Sequence, residues 1–255
     1  MKLHVLGSSS AGNGYLLTTN TGAGLILEAG VPFAKVNNTL DAGIGKVAGV
    51  LISHEHGDHS KYIAEYARYG IKMYASEGTI DVLKHTFPKL KNSHLWHVLN
   101  PDQQQATDLG EGFIVRPFHV KHDAAEPLGF LLLHPESGYI LFVTDTHYID
   151  KRFPPINNYI VECNYCEDIL NENLVTGRVQ RMVAERVKLS HLSIQSLQHF
   201  LSKQDTRRTS RIVLTHLSDT NSNEQEFVAA VKAQTGTETL AADTGLRIPF
   251  DRTPF

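Results

Sequence analysis

The most restrictive feature of the sequence is a group of metal-binding residue types directly after an apolar run. The run covers residues 47–52 and is typical of a buried strand, and it is followed by Ser53-His54-Glu55-His56-Gly57-Asp58-His59. In open α/β sheets, ligands bind at the carboxyl ends of strands. Imidazole and carboxylate groups together are ligands for first-row divalent metals, zinc foremost. The stretch therefore predicts a strand, a metal-binding loop and a helix in succession.

The spacing divides these ligands into two groups. His54 and His56 alternate in an extended segment, so their side chains point the same way and can bind one ion. Asp58 and His59 lie past a turn at Gly57, which places them better for a second ion. A polar loop that is rich in histidine by chance is the weaker interpretation, because so many ligand types follow one strand directly.

The pattern His-x-His-x-Asp-His at a strand end resembles the signature of the metallo-β-lactamase-like hydrolases. The resemblance implies an α/β protein with the four-layer αβ/βα metallo-β-lactamase sandwich, in which a two-metal site lies between the sheet edges. Strand and helix patterns alternate along the chain, as an α/β fold requires. The pattern identifies a superfamily and leaves the substrate open.

The N-terminal loop narrows this resemblance. Residues 6–13, with the sequence LGSSSAGN, are similar to the opening of the YycJ/WalJ-like branch, a group associated with DNA exonuclease activity. A glycine-rich loop can present backbone N–H groups to a phosphate, so Ser10 and Asn13 are candidates for phosphate or substrate contacts. A plain hairpin turn is the alternative. Relatives usually have Asp-Ala-Gly where this chain has Glu28-Ala29-Gly30, which leaves open whether the contact made by that aspartate survives.

Three later strand ends supply the remaining ligand types. His122 is our choice for the imidazole that completes the first site, because the stretch from His122 to Phe130 resembles the corresponding family stretch, whereas His119 is better explained as a strand-end or core histidine. Asp145 ends an apolar strand, where an unpaired carboxylate is costly to bury, and is predicted to bridge two ions. His216 ends another strand and fits the last ligand. The predicted sets are His54, His56, His122 and Asp145 for one ion, and Asp58, His59, His216 and Asp145 for the other.

This ligand set predicts a metal-dependent hydrolase. Two divalent ions, Zn²⁺ by default and Mn²⁺ as the alternative, can hold a bridging hydroxide as nucleophile and stabilise an oxygen as it gains charge, which suits phosphodiester cleavage. Phosphodiesterases of the superfamily carry a histidine ahead of the last ligand, and His191 resembles it. The resemblance implies a general acid there, with Asp58 as the other catalytic residue. A simple polar residue before a helix is the competing interpretation of His191.

Two further motifs have competing interpretations. Residues 178–188 predict a basic helix, and Arg178 and Arg181 are candidates for contacts with a phosphate backbone, although a solvated helix face is the ordinary explanation. Cys163 and Cys166 have the spacing of redox and zinc motifs, but no second pair accompanies them. Relatives commonly have glycine where this chain has His147, whose effect on the pocket is open.

Composition limits the broad class of protein. The chain has 41% apolar and 20% charged residues, as ordinary globular proteins do, and no apolar run approaches a membrane span. Two cysteines and the absence of a signal-like N-terminus predict a cytoplasmic protein. Because the net charge is −3, binding of nucleic acid requires a local basic patch.

We therefore expect a single metallo-β-lactamase-like domain over residues 1–255. The interval from Asp145 to His216 is too short for the additional domain of the β-CASP nucleases. Our first hypothesis is a two-metal phosphodiesterase acting on nucleic acid, a DNA exonuclease. The alternatives are a phosphodiesterase for a small or cyclic nucleotide, a thioester or lactam hydrolase, and a non-enzymatic binding module. The sequence leaves the oligomeric state open.

Overall fold

Two mixed sheets form the framework of the protein in the computed structural model, which describes residues 1–40 and 42–253. The first sheet contains β1 (Lys2–Gly7), β2 (Gly14–Thr18), β3 (Gly24–Leu27), β4 (Val47–Leu51), β5 (Met73–Ala75), β6 (Trp96–Val98) and β14 (Arg247–Pro249), in the order β14-β1-β2-β3-β4-β5-β6. The second contains β7 (Thr107–Gly110), β8 (Phe113–His119), β9 (Leu128–His134), β10 (Gly138–Val143), β11 (Asn158–Glu162), β12 (Arg211–Thr215) and β13 (Glu238–Ala241), in the order β13-β12-β11-β10-β9-β8-β7.

Helices cover the outer faces of both sheets. They are α1 (Phe33–Asn37), α2 (Gly57–Ser60), α3 (Ile63–Arg68), α4 (Glu77–Thr86), α5 (Glu167–Val175), α6 (Arg181–Ser190), α7 (Ile194–Ser202) and α8 (Glu224–Thr235), with single 3₁₀ turns at Ile44–Lys46 and Pro88–Leu90. Apolar side chains of α1, α3 and α4 pack on the first sheet, and those of α7 and α8 pack on the second. A separate apolar cluster lies between the sheets. This arrangement confirms the predicted four-layer αβ/βα fold.

Alternation along the strands explains how each sheet is buried on both faces. In β3, Leu25 and Leu27 belong to the cluster between the sheets, whereas Ile26 belongs to the cluster under α1, α3 and α4. Successive residues of a strand point to opposite faces, so a continuous apolar run can serve both layers. Each such leucine or isoleucine contributes about 1.5–3 kcal/mol on full burial.

Parallel strands place several loops at one edge of the molecule. β3 pairs in parallel with β4, and β10, β11 and β12 pair in parallel with one another, so their carboxyl ends lie side by side in each sheet. The residues that follow β3, β10 and β12 include Glu28, Asp145 and His216, which have positive φ angles of 68°, 46° and 56°, respectively. Non-glycine residues rarely adopt this conformation, and it turns each chain sharply at the strand end.

Several element boundaries differ from the sequence prediction. The single helix expected after the metal-binding loop is two short helices, α2 and α3, separated at Tyr62, where φ is −100° and ψ is 8°. The basic helix α6 begins at Arg181, so Arg178 lies outside it. The edge strand β7 at Thr107–Gly110 has no counterpart in the sequence prediction. Within the described residues no helix is both long and apolar enough to cross a membrane.

Candidate metal centre and active site

Three histidines from two loops form a first cluster, made of His54, His56 and His122. His54 and His56 follow β4, and His122 follows β8. The Nε2 atom of His122 lies 3.1 Å from Nδ1 of His56, and one nitrogen of each histidine lies within 4.8 Å of the others. The Nδ1–H group of His122 donates to the backbone carbonyl of Ser190 at 3.0 Å. This bond fixes the tautomer, so Nε2 keeps its lone pair for a metal ion.

A second cluster consists of Asp58, His59, Asp145 and His216, with ligand atoms again within 4.8 Å of one another. The Oδ2 atom of Asp145 lies 2.6 Å from Nε2 of His59 and 3.5 Å from Nε2 of His54. Asp58 Oδ2 lies 3.2 Å from Nε2 of both His59 and His216. Asp145 therefore stands between the clusters, and all seven predicted ligand residues come together where strands of both sheets end.

The strained backbone at His216 is held by hydrogen bonds on both sides. Its N–H donates to Ser8 Oγ at 3.1 Å, and its carbonyl accepts from Asn164 Nδ2 at 2.7 Å. The Tyr15 hydroxyl in turn donates to Ser8 Oγ at 2.9 Å. A positive φ at a non-glycine residue costs about 1–3 kcal/mol and persists where its surroundings fix it. Ser8 and Tyr15, which the sequence did not single out as site residues, thus help to hold a candidate ligand.

Asn13 lies beneath the second cluster. Its side chain is 1% exposed, and its Nδ2 donates to Asp58 Oδ2 at 3.2 Å and lies 3.1 Å from His59 Nε2. Its backbone N–H donates to the carbonyl of Asp58 at 2.7 Å. Ser10, by contrast, is exposed at the tip of the same loop. The structure thus places Asn13 in contact with ligand side chains and Ser10 at the surface.

Glu28 faces the second cluster from below. It is fully buried, its Oε2 lies 3.6 Å from His59 Nδ1, and both of its oxygens lie 3.3 Å from the Ser53 N–H group. Burial raises the pKa of Glu28, while the neighbouring His59 lowers it. The longer side chain thus still brings a carboxylate to the histidine of the second cluster. A carboxylate behind a ligand histidine fixes its ring and raises its basicity.

We expect Glu28→Gln to weaken metal binding by about 10- to 100-fold, the usual effect of removing such a partner of a ligand histidine. Competition with a chromogenic chelator measures this affinity. Glu65→Gln is the matched control, since Glu65 accepts a backbone hydrogen bond from Phe33 away from both clusters. Equal metal affinity of wild type and Glu28→Gln would contradict the assignment.

His191 follows α6 and contacts two carboxylates. Its Nδ1 lies 2.7 Å from Glu162 Oε1 and 3.1 Å from Asp145 Oδ1, and its side chain is 16% exposed. Burial lowers the pKa of His191, but the charge of Glu162 and hydrogen bonds with Asp145 and Glu162 raise it to about 10. Glu162 is itself fixed, because its Oε2 accepts the N–H groups of Thr146 and Leu192 at 3.1 and 3.2 Å. Asp145, Glu162, His191 and His216 form a further set of ligand-type atoms within 4.8 Å.

The carboxylates of the second cluster are ionised beside its histidines. Burial raises the pKa of Asp58, but hydrogen bonds with His216 and His59 outweigh it and hold the pKa below its usual range. The pKa of Asp145 is also lowered, because the charges of His216 and His59 outweigh burial. Burial and the neighbouring His59 lower the pKa of His54, which keeps that imidazole neutral. The edge therefore offers ionised carboxylates beside a histidine whose nitrogen can act as a ligand.

Unpaired buried atoms test whether metal ions fit these residues. Within the part of the chain that the structure describes, His54 Nε2 is buried and has no hydrogen-bond partner, although Asp145 Oδ2 lies 3.5 Å away. Buried polar atoms are rarely left unpaired, and each such atom needs an explanation. For His54, Ser53 Oγ contacts Nδ1 at 2.9 Å, so Nε2 is the atom left for a ligand. The clusters therefore fit divalent metal ions.

Other candidate residues lie apart from both clusters. His119 is 51% exposed and pairs with Asp102 at 3.4 Å. The Nδ1 of His147 lies 3.2 Å from the carbonyl of Lys121 and so secures the loop that carries His122. Cys163 is buried and Cys166 half-buried, and neither belongs to a metal-type cluster of the described residues. Arg178 and Arg181 are exposed, and Arg181 pairs with Glu185 at 2.9 Å.

A family model described as the Beta-lactamase superfamily domain matches residues 19–217. Together with the fold and the clusters of ligand-type residues, this shows that the chain belongs to the metallo-β-lactamase superfamily of hydrolases. The predicted family is confirmed.

Relatives and solved structures agree with this placement. The chain is 29% identical over 265 aligned residues to Exodeoxyribonuclease WalJ of Streptococcus pneumoniae serotype 2, covering 98% of this chain and 92% of the relative. It is 29% identical over 236 residues to Exodeoxyribonuclease YycJ of Bacillus anthracis, covering 88% and 86%. Zn²⁺-bound PqqB from Methylobacterium extorquens superposes with a TM-score of 0.72 at 14% identity, covering 98% and 100%. The short form of human tRNase Z gives 0.63 at 16% identity, covering 98% and 99%. The last two likenesses concern the fold alone.

Proposed function

We propose that this protein is a two-metal phosphodiesterase that cleaves nucleic acid, and specifically a DNA exonuclease. The observation that carries the proposal is the carboxylate of Asp145, which lies within 3.5 Å of nitrogen atoms from both clusters. A pair of neighbouring ions is the arrangement that enzymes use to cleave phosphodiesters by in-line displacement. The names of the relatives from Streptococcus pneumoniae and Bacillus anthracis support DNA as the substrate.

The proposed ions are zinc, with manganese as the alternative. Five of the seven ligand residues are histidines, which suits zinc better than a hard cation that prefers oxygen. The proposed ligands are His54, His56, His122 and Asp145 for the first ion, and Asp58, His59, His216 and Asp145 for the second. When bound, the ions supply a nucleophile at neutral pH and neutralise charge on phosphoryl oxygens.

The side chains of this site have separate proposed roles in the reaction. Asp58 is 22% exposed and orients the attacking water with its carboxylate. His191 is anchored through Nδ1 by Glu162, which leaves Nε2 to donate a proton to the departing oxygen. Ser10 contacts a substrate phosphate from the exposed loop tip, while Asn13 positions Asp58 and His59. Arg178, just before α6, and Arg181, its first residue, contact the phosphate backbone from exposed positions.

We expect purified protein supplied with zinc or manganese to degrade end-labelled DNA from a terminus. EDTA should abolish the activity and also lower the melting temperature, because ions that bind only the folded state stabilise it by mass action. The assay compares single- and double-stranded DNA, RNA, cyclic dinucleotides, an acyl thioester and bis-p-nitrophenyl phosphate. Asp58→Ala excludes a contaminating nuclease. Metal-dependent turnover of only the thioester, or of only a cyclic dinucleotide, would replace the proposal with the corresponding alternative.

A further inference from the structure

A cavity of about 360 Å³ opens on the outer side of the second sheet, away from both metal-type clusters. We call it the outer cavity. Arg116 and Phe118 of β8, Leu131 of β9 and residues 151–154 line it, with Pro101 at the rim. Residues 151–154 belong to the connection between β10 and β11. The outer cavity is thus built from the same strands whose loops carry His122 and Asp145.

Three cations surround the outer cavity without an acidic partner. Arg116, Lys151 and Arg152 are all exposed, and no carboxylate is among the lining residues. Among the described residues, none of the three forms an ion pair within 4.0 Å. The nearby acids Asp102 and Asp150 instead contact His119 and Lys203. In a chain with a net charge of −3, this is a local concentration of positive charge that attracts anions.

Aromatic rings form the floor of the outer cavity. The rings of Phe118 and Phe153 have centroids 5.1 Å apart at an interplanar angle of 56°, and Lys151 Nζ lies 5.2 Å from the Phe118 ring centroid. Phe153 is half-buried and lines the outer cavity. Rings that can stack with bases, set among cations that can pair with phosphates, are the two components of sites for single-stranded nucleic acid.

A second group of cations around one further ring lies beside the loop that carries His122. β8 runs from Arg116 towards His119, and His122 lies three residues beyond its end. Lys121 Nζ and Lys203 Nζ lie 5.9 and 6.0 Å from the centroid of the Tyr148 ring. Lys121 directly precedes the ligand-type residue His122. Cations beside aromatic rings are therefore found both at the outer cavity and next to the loop of the first cluster.

We propose that the outer cavity binds a nucleotide of a single-stranded nucleic acid whose end lies in the metal centre. The base stacks on Phe153, and Arg116 and Arg152 pair with the flanking phosphates. The inference rests on the proposed nuclease function and adds the path of the substrate strand. It makes affinity depend on strand length, because only a strand long enough to reach the outer cavity gains these contacts.

The double variant Arg116→Glu/Arg152→Glu tests this path, and both side chains are exposed, so the fold should persist. We expect kcat/KM for a single strand of about 20 nucleotides to fall by at least about tenfold through KM. The salt slope of binding should fall by about 1.4, because each of two phosphate contacts with a single strand contributes about 0.7. Activity on bis-p-nitrophenyl phosphate and on a dinucleotide should be unchanged. Phe153→Leu, which keeps apolar volume but loses stacking, should weaken binding of the long strand by about tenfold or more.

Binding is also measured without cleavage, by fluorescence anisotropy of a labelled phosphorothioate strand on the metal-loaded protein. Lys89→Glu/Lys91→Glu is the matched control, because it reverses the same charge at exposed positions on the opposite side of the sandwich. Competition with free dAMP tests whether the outer cavity binds a free nucleotide as well as a nucleotide within a strand. If dAMP displaces the labelled strand from wild type and not from the Arg116→Glu/Arg152→Glu variant, the outer cavity binds free nucleotides as well as strands.

Equal strand binding by wild type and the Arg116→Glu/Arg152→Glu variant would overturn the inference, as would an equal loss of activity on the dinucleotide. A wild-type protein that hydrolyses bis-p-nitrophenyl phosphate but no nucleic acid would overturn the proposed function. In that case the anisotropy measurement still decides whether the outer cavity binds the strand.

Discussion

Asp145→Asn is expected to lose metal from both clusters and to reduce hydrolysis of DNA and of bis-p-nitrophenyl phosphate by about 10³-fold or more. Metal ions supply several kcal/mol of transition-state stabilisation, and each factor of ten in rate corresponds to about 1.4 kcal/mol. Asparagine tolerates the left-handed backbone conformation that Asp145 adopts at a φ of 46°, so the turn after β10 is preserved. The substitution therefore removes the negative charge between His54 and His59 and leaves the backbone in place.

Metal content by mass spectrometry and initial rates by a spectrophotometric assay measure this effect. Asp102→Asn is the control, because Asp102 is 84% exposed and pairs with the exposed His119, away from both clusters. It should leave both metal content and rate unchanged. An Asp145→Asn protein that keeps two ions and a rate close to wild type would show that the clusters do not depend on a shared carboxylate.

The sequence predicts the position of the candidate site where it also predicts the end of a strand. An apolar run followed directly by ligand residues marks the loop of His54 and Asp58, because the carboxyl ends of strands in an α/β sheet meet at one edge. Asp145 and His216 stand out for the same reason, at the ends of apolar strands. His122 came from the family resemblance, since local pattern alone does not separate it from His119. The structure brings His122 to the first cluster and leaves His119 at the surface.

The supporting contacts were beyond local reasoning. Ser190 lies in α6, 68 positions after His122, yet its carbonyl fixes the tautomer of that histidine and its hydroxyl donates to Asp123 at 3.0 Å. Ser8 supports His216 across 208 positions of the chain. Such pairs arise only when both sheets are assembled, because each partner is an ordinary serine in its own segment. Glu28 departs from the family pattern, and only its distance to His59 in the structure shows that its carboxylate still reaches that histidine.

The fold class was predictable and several boundaries were not. Buried apolar runs marked most of the central strands, but β7 at the sheet edge has the polar sequence Thr-Asp-Leu-Gly and a single buried residue, Leu109, so it carries no strand pattern. The helix after the first cluster has good apolar spacing, yet the chain leaves the helical conformation at Tyr62, where the Tyr62 N–H donates to the carbonyl of Ala29. Tertiary hydrogen bonding overrode local propensity there.

His191→Ala is expected to lower kcat for DNA by about 10²- to 10⁴-fold, the usual contribution of a general acid, while metal content stays at the wild-type level. The reason lies in the geometry of the pair formed by His191 and Glu162. Glu162 binds Nδ1 of His191 at 2.7 Å and is itself held by two backbone N–H groups, so the imidazole has a fixed orientation. Its Nε2 atom is then free to donate the proton to the departing oxygen. Rapid-quench kinetics on end-labelled DNA measures kcat.

Substrates with different leaving groups distinguish a proton-donating role of His191 from a purely structural one. A deoxyribose alkoxide needs a proton to depart, whereas p-nitrophenolate departs without one, so His191→Ala should lose far less activity on bis-p-nitrophenyl phosphate than on DNA. Glu162→Gln should show the same difference between substrates in weaker form, because Glu162 acts through His191. His199→Ala, an exposed histidine on α7, is the matched control. Equal losses on both substrates, or a loss on DNA of less than about tenfold, would refute general acid catalysis by His191.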